Sequence, residues 1–135
     1  MTYRDYPIAC PRCRRDLDRN EASERWVCGT CAGELWGEAE VIARLVEVAP
    51  DLRAEGGSRL PTLSRRTKDA PLPCPVCREA MDPVFLGGIE VERCRVDELL
   101  WFDVSEIERV VAVAQEQHSQ RSSAWLVRAW RALIA

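Results

Sequence analysis

The sequence contains a single histidine, His118, in 135 residues, and this scarcity limits the catalytic chemistry it can support. A zinc deaminase needs an upstream H-x-E segment, whose histidine binds the metal and whose glutamate moves a proton. The chain has no such segment. Thiol–disulfide catalysis by Cys-x-x-Cys is accompanied by a βαβ pattern, which is also missing here. We therefore expect a protein that is not an enzyme.

Long apolar segments are missing as well. No apolar run approaches the about 20 residues that a membrane-spanning helix needs, and the first residues, Met-Thr-Tyr-Arg-Asp-Tyr, lack an apolar signal region. The cysteines number seven, an odd count, and most lie in pairs two residues apart. This favours reduced thiols over a disulfide scaffold. We expect a protein in the cytoplasm with no membrane span.

A strongly basic surface, the usual electrostatic footprint of a nucleic-acid binder, is absent overall. The formal net charge is −3, and zinc sites of four cysteines and of three cysteines with one aspartate would bring it to about −6. Residues 78–117 carry four basic and ten acidic side chains. Nucleic-acid binding remains the alternative function, since several arginines lie near Trp26 and Trp36 in the first half of the chain.

Two Cys-x-x-Cys pairs are the strongest signal in the sequence. Cys10 and Cys13 precede Cys28 and Cys31 by a stretch long enough for one β-hairpin. A two-residue spacer lets both thiolates of a pair bind one ion, and two pairs complete a tetrahedron around Zn²⁺. The spacing therefore predicts a zinc site of four cysteines.

The second half of the chain repeats this arrangement with one change. Cys74, Cys77 and Cys94 correspond to the first three cysteines, whereas a shift of 66 residues aligns Cys31 with Asp97. Three interpretations compete. Asp97 supplies a carboxylate oxygen as the fourth zinc ligand, or the metal is lost and apolar residues hold the hairpin. In the third, His118 is the ligand, although it lies about 20 Å further along a predicted helix.

The predicted fold is a small, metal-stabilised α+β fold with two zinc ribbons, each a β-hairpin with zinc knuckles followed by an α-helix, plus a C-terminal amphipathic helix. Apolar residues at helical spacing from Val41 to Ala49 predict the first helix, and Asp103 with Glu106 forms a capping box for the second. The predicted divisions are residues 1–50 for the first ribbon and helix, 51–71 for a basic linker containing Pro and Gly, 72–118 for the second ribbon and helix, and 119–135 for the C-terminal helix.

The second half resembles a known family. Cys74-Pro75-Val76-Cys77, Met81, Ile89-Glu90, Cys94 and the run from Trp101 to Ile107 are similar to the TFIIB-type zinc-ribbon domain of small bacterial proteins. The resemblance covers about thirty-five residues there and extends more loosely over residues 10–41. It departs from the family at Asp97, at Glu98-Leu99 and at Ser105. The resemblance implies a zinc-binding fold related to transcription-factor ribbons, and it implies no defined activity.

These features together favour a binding or scaffolding module whose partner is another protein. Five tryptophans are a generous number for this length, and Trp with Arg is the composition of interface anchors. Trp125 and Trp130 lie on the predicted C-terminal helix. The sequence leaves open whether they contact a partner or pack within the chain, and it leaves the oligomeric state open. A transcription-related role is implied only by the resemblance.

Overall fold

The computed structural model describes residues 7–20, 24–50 and 71–134, with only the backbone of 121–134. The chain forms a small α+β protein with one antiparallel sheet and two helices in that part. The strands are β1 (Asp18–Asn20), β2 (Arg25–Val27), β3 (Glu34–Gly37), β4 (Asp82–Leu86), β5 (Ile89–Cys94) and β6 (Leu99–Phe102). The helices are α1 (Glu38–Val48), between β3 and β4, and α2 (Glu106–Ile134). The predicted linker lies outside the described residues except for Pro71.

The six strands form one sheet because the two halves of the chain meet edge to edge. Residues 7–50, the N-terminal half, contribute β1-β2-β3, and residues 71–134, the C-terminal half, contribute β4-β5-β6. The strand order β1-β2-β3-β6-β5-β4 is therefore symmetric about the β3–β6 pair. Leu35 pairs with Trp101, which is also its equivalent under the shift of 66 residues. Such self-pairing is what a local two-fold axis requires, and we call it the pseudo-dyad.

The central strand β6 is buried on both faces of the sheet. Leu99 and Trp101 lie in a cluster that contains the cysteines, whereas Leu100 and Phe102 face the helices. This follows from the alternation of side chains along a strand. On the helical face, the rings of Trp36 and Phe102 pack edge to face with centroids 6.3 Å apart. The sheet thus separates a cysteine-rich core layer from a helix-covered one.

The first helix begins and ends close to where the sequence predicts. Glu38 and Glu40 lie in its first turn, where carboxylates interact favourably with the positive end of the helix dipole. Val41 is fully buried against the sheet. The Ala49 amide donates to the Leu45 carbonyl at 2.9 Å, and Pro50 follows. Proline lacks the amide hydrogen that helix continuation requires, so the helix ends there.

The separate C-terminal helix predicted for residues 119–135 is wrong, because α2 runs without a break from Glu106 to Ile134. The polar stretch before Trp125 contains no proline or glycine, so nothing in the backbone chemistry interrupts the helix. Only half of the predicted capping box forms: the Asp103 amide donates to the Glu106 carboxylate at 2.8 Å. No helix in the described part of the chain is both long and apolar enough to cross a membrane.

Candidate metal centres

The structure gathers eight of the nine residues that the sequence proposes as metal ligands into two clusters. In each cluster the four potential ligand atoms lie within 4.8 Å of one another. Site 1 consists of Cys10, Cys13, Cys28 and Cys31, and site 2 of Cys74, Cys77, Cys94 and Asp97. All seven cysteines are free thiols. His118 belongs to neither cluster. Both clusters can hold a metal ion.

The spacing of the ligand atoms fits a tetrahedron around zinc. Zn–S bonds of about 2.3 Å place two sulfurs about 3.8 Å apart, and a Zn–O bond of about 2.0 Å places oxygen and sulfur about 3.5 Å apart. The Sγ atoms of Cys10 and Cys31 are 3.7 Å apart, and those of Cys77 and Cys94 are 3.6 Å apart. Asp97 Oδ2 lies 3.5 Å from the sulfurs of both Cys74 and Cys94. A disulfide would require about 2.05 Å.

The same backbone turn presents each pair of ligands. The residue after the second ligand has a positive φ in all four turns: Arg14 at 62°, Ala32 at 60°, Arg78 at 66° and Glu98 at 53°. Backbone amides point at the sulfurs in both sites, at 3.3 to 3.5 Å: Arg12 and Cys13 to Cys10, Cys31 to Cys28, Gly33 to Cys31, Val76 to Cys74, and Asp97 to Cys94. Such amides stabilise negative charge on thiolate sulfur.

Asp97 therefore occupies a ligand position although it is not a cysteine. Its amide donates to the Cys94 sulfur at 3.4 Å, and Glu98 after it keeps the left-handed conformation seen in the other three turns. Of the three interpretations of site 2, this geometry is the one expected for a carboxylate ligand. The turn at Asp97 thus has the same backbone conformation as the three cysteine turns, and only the donor atom differs.

The thiol pKa values show what a cation would contribute at site 1. Burial raises the pKa of Cys10, and hydrogen bonding with Cys31 raises that of Cys13. Burial also acts to raise the pKa of Cys28, but the amides of Cys31 and Thr30 outweigh it and lower this pKa to about 7. One thiol thus ionises readily while Cys10 and Cys13 resist ionisation, because burial and hydrogen bonding between the thiols favour the neutral form. A bound cation would instead favour the thiolate form of these cysteines.

Residues of the C-terminal half hold both turns of site 1. The Trp101 ring packs directly on Gly33, where an added Cβ would lie 2.3 Å from ring atom Cζ2. The Trp101 indole Nε1 donates to Asp103 Oδ1 at 3.1 Å. Asp103 also accepts two hydrogen bonds from the Arg12 guanidinium, and the bond from Nη2 measures 2.8 Å. Arg12 lies between Cys10 and Cys13 in the first turn of site 1. Trp101 and Asp103 thus connect the two turns.

Site 2 is connected to the N-terminal half in a similar way, through the first residue of α1. Arg93, next to Cys94, donates from Nη2 to both carboxylate oxygens of Glu38 at 3.0 and 3.2 Å. The Glu38 amide donates to the Glu98 carbonyl at 2.9 Å, directly after Asp97. Each candidate metal site is therefore contacted by residues of the opposite half: site 1 by Trp101 of β6 and by Asp103, and site 2 by Glu38 at the start of α1.

These connections are what sequence reasoning missed. Asp103 is predicted only as a helix cap, yet its side chain binds Arg12 and Trp101. One signal was available in the sequence: Gly33 aligns with Leu99 under the shift of 66 residues. A glycine where the other half has a bulky residue indicates that another group approaches the backbone closely.

Further acidic residues lie around the Arg12–Asp103 ion pair. Arg12, Glu92, Asp103 and Glu106 line one shallow cavity. Burial raises the pKa of Glu92 to about 7, and the charges of Asp103 and Glu106 act in the same direction, whereas Arg12 opposes them. Arg12 and Arg109, which also lines this cavity, are the cations that partly compensate these carboxylates.

No protein-family model, curated protein or solved structure matches this chain. The resemblance to TFIIB-type ribbons therefore stays a prediction.

Proposed function

We propose that this chain is a zinc-ribbon protein in which two Zn²⁺ ions stabilise a platform that contacts another protein. The observation that carries the zinc assignment is the fit of both ligand sets to a tetrahedron, on four turns with the same backbone conformation. Zinc accepts thiolate and carboxylate ligands together, as site 2 offers. Iron–sulfur clusters are held mainly by thiolates, so the Asp97 ligand favours zinc.

A structural role for both ions is supported by the donor count and by burial. Four protein ligands fill the tetrahedron and leave no position for water or substrate, which is the pattern of structural zinc. One cysteine of every pair is nearly inaccessible: Cys10 and Cys28 are 1% exposed, as is Cys74, and Cys94 is 3% exposed. The strands are only three to six residues long. Metal binding therefore contributes stability that such short elements lack.

The direct test is metal analysis of the full chain purified under reducing conditions. We expect two zinc ions per chain by native mass spectrometry and elemental analysis. Cys28→Ser and Cys94→Ser should each lower the count by one, which assigns an ion to each site. Iron would be visible as thiolate-to-iron absorption. A folded chain that binds neither metal, or that forms disulfides in both clusters, would exclude the proposal.

A protein partner is supported by the length and composition of α2. The helix has 29 residues, about 43 Å at 1.5 Å per residue, whereas the longest strand, β5, has six residues and spans about 20 Å. Among the residues of α2 whose side chains the structure describes, those that join the core extend from Ile107 to Val113. The later sequence holds Trp125 and Trp130 together with three arginines, the composition of interface anchors. We propose that this segment forms part of the interface.

The partner assignment is tested with Trp125→Ser and Trp130→Ser in the zinc-loaded chain. Both variants should keep two zinc ions and the melting temperature, and should lose the partner captured by the unmodified chain. A fall in melting temperature would place the two side chains in the core instead. Loss of the partner on nuclease treatment would support the alternative, nucleic-acid binding.

A further inference from the structure

A cavity of about 550 Å³ lies where the two halves bring their first ligand turns together. Pro11 and Arg14 line it from the N-terminal half, and Pro75 and Arg78, their equivalents under a shift of 64 residues, line it from the C-terminal half. Neither half forms the cavity alone. We call it the interknuckle groove, and its volume lies in the range of ligand-binding clefts.

The interknuckle groove has a rigid, partly apolar lining. Four prolines contribute to it, together with the buried side chain of Ile8. Proline has a fixed φ and no amide hydrogen. The prolines therefore offer apolar contact without a backbone donor. The charged residues of the lining are Arg14, Arg78 and Asp16, so two cations face one carboxylate and the lining is net positive.

Arginine occupies one backbone position in both turns and lines the interknuckle groove from both sides. Arg14 and Arg78 adopt left-handed conformations, with φ of 62° and 66°, which glycine adopts at lower cost. Their amides donate to the carbonyls of Cys10 and Cys74 at 2.9 Å, so their backbones are fixed. Both side chains are exposed, and neither forms a salt bridge with a described residue.

We propose that the interknuckle groove binds a carboxylate-bearing peptide segment of a partner protein through Arg14 and Arg78. The proposal rests on the zinc-ribbon function, because the two turns hold the groove open. Guanidinium groups bind carboxylates through paired hydrogen bonds, and the prolines pack on the apolar parts of a peptide. A nucleic acid fits less well, since residues 78–117 carry ten acidic against four basic side chains and would repel a continuous row of phosphates.

The test measures fluorescence anisotropy with the zinc-loaded full chain and a fluorescein-labelled peptide of alternating glutamate and alanine. Its control peptide alternates glutamine and alanine. We expect Arg14→Gln and Arg78→Gln each to raise the Kd about two- to fivefold and the double variant to raise it about tenfold, the range for exposed ion pairs. Arg19→Gln is the matched control, because Arg19 is an exposed arginine of β1 outside the groove.

A second double variant, Arg14→Gly with Arg78→Gly, separates binding from folding. Glycine relieves the left-handed backbone, so this variant should lose the peptide and melt no lower than the unmodified chain. The proposal is overturned if the glutamate peptide does not bind, if its affinity survives either double variant, or if Arg19→Gln weakens it equally. Tighter arginine-dependent binding of a labelled oligothymidine would also overturn it.

Zinc is counted in every sample, so the two proposals fail differently. A sample without zinc contradicts the zinc-ribbon function. A sample with two zinc ions and no arginine-dependent peptide binding contradicts only the groove. If the arginine variants release zinc, the two side chains serve the metal sites, and the groove proposal is withdrawn.

Discussion

Replacing Gly33 with alanine should destabilise the protein although the change adds only one methyl group. The backbone at Gly33 does not have a positive φ, so alanine is conformationally acceptable there. The obstacle is the Trp101 ring, whose atoms Cζ2 and Cη2 would lie 2.3 and 2.7 Å from the new Cβ. Trp101 is fully buried, and its indole nitrogen is bound to Asp103. The ring has little freedom to move.

The expected cost follows from the overlap. Carbon atoms pack at about 3.5–4.0 Å, so the ring or the turn must shift by more than about 1 Å. Overpacking of this kind costs about 1–3 kcal/mol in the free energy of unfolding, or roughly 4 °C in melting temperature per kcal/mol. Because Gly33 donates to the Cys31 sulfur at 3.4 Å, the shift should also weaken zinc binding at site 1.

The assay combines chemical unfolding of the zinc-loaded chain with zinc release to a chromogenic chelator. Gly29→Ala is the matched control, since its Cβ would meet only Asp18 Oδ2 at 3.7 Å, an ordinary contact. We expect Gly33→Ala to unfold at lower denaturant and to release one zinc faster. Gly29→Ala should change the free energy of unfolding by less than about 0.5 kcal/mol.

A double-mutant cycle tests the mechanism itself. Trp101→Leu gives this position the leucine found at its pseudo-dyad equivalent, Leu35, and removes the ring that clashes. Trp101→Leu alone should be costly, but adding Gly33→Ala to it should cost less than about 0.5 kcal/mol more. If Gly33→Ala costs the same with and without the tryptophan, the steric explanation is wrong.

Substitutions at Asp97, Arg93 and Glu92 test the ligands of site 2, its contact with α1 and the acidic cavity. Asp97→Cys should slow zinc release from site 2 and Asp97→Ala should accelerate it, because thiolate is the softer donor; equal release rates in both variants would mean that Asp97 is not a ligand. Arg93→Met should weaken zinc binding at site 2 more than Arg95→Met, since Arg93 binds Glu38 whereas the Arg95–Asp82 pair is exposed. The pKa of Glu92 is raised to about 7 in the folded chain, so its ionisation lowers the free energy of unfolding as the pH rises through that value. Glutamine does not ionise, so Glu92→Gln should melt higher than the unmodified chain at pH 8 and by a smaller margin at pH 6. A margin independent of pH would contradict that account.

The candidate metal ligands and the first helix are features that the sequence determines by itself. A Cys-x-x-Cys turn is local: four or five residues define its backbone and aim two sulfurs at one point, whatever surrounds them. The same is true of Asp97, which keeps the turn of the cysteine it aligns with. Helix α1 follows from its apolar periodicity and from Pro50. In each case the signal and the structure lie within a few residues of each other.

Only the tertiary structure decided how the two halves meet. The pairing of β3 with β6 joins residues far apart in the chain, and no spacing in the sequence predicts which strand edges pair. The contacts of Asp103 with Arg12, of Arg93 with Glu38, and the interknuckle groove all depend on that pairing. The run of polar residues at 115–122 suggests the end of one helix and the start of another, and so the sequence did not predict the continuous helix α2. Polar residues do not end a helix, because they are also typical of the solvent-facing side of a helix. Contacts between halves depend on three-dimensional proximity, which local sequence patterns do not encode.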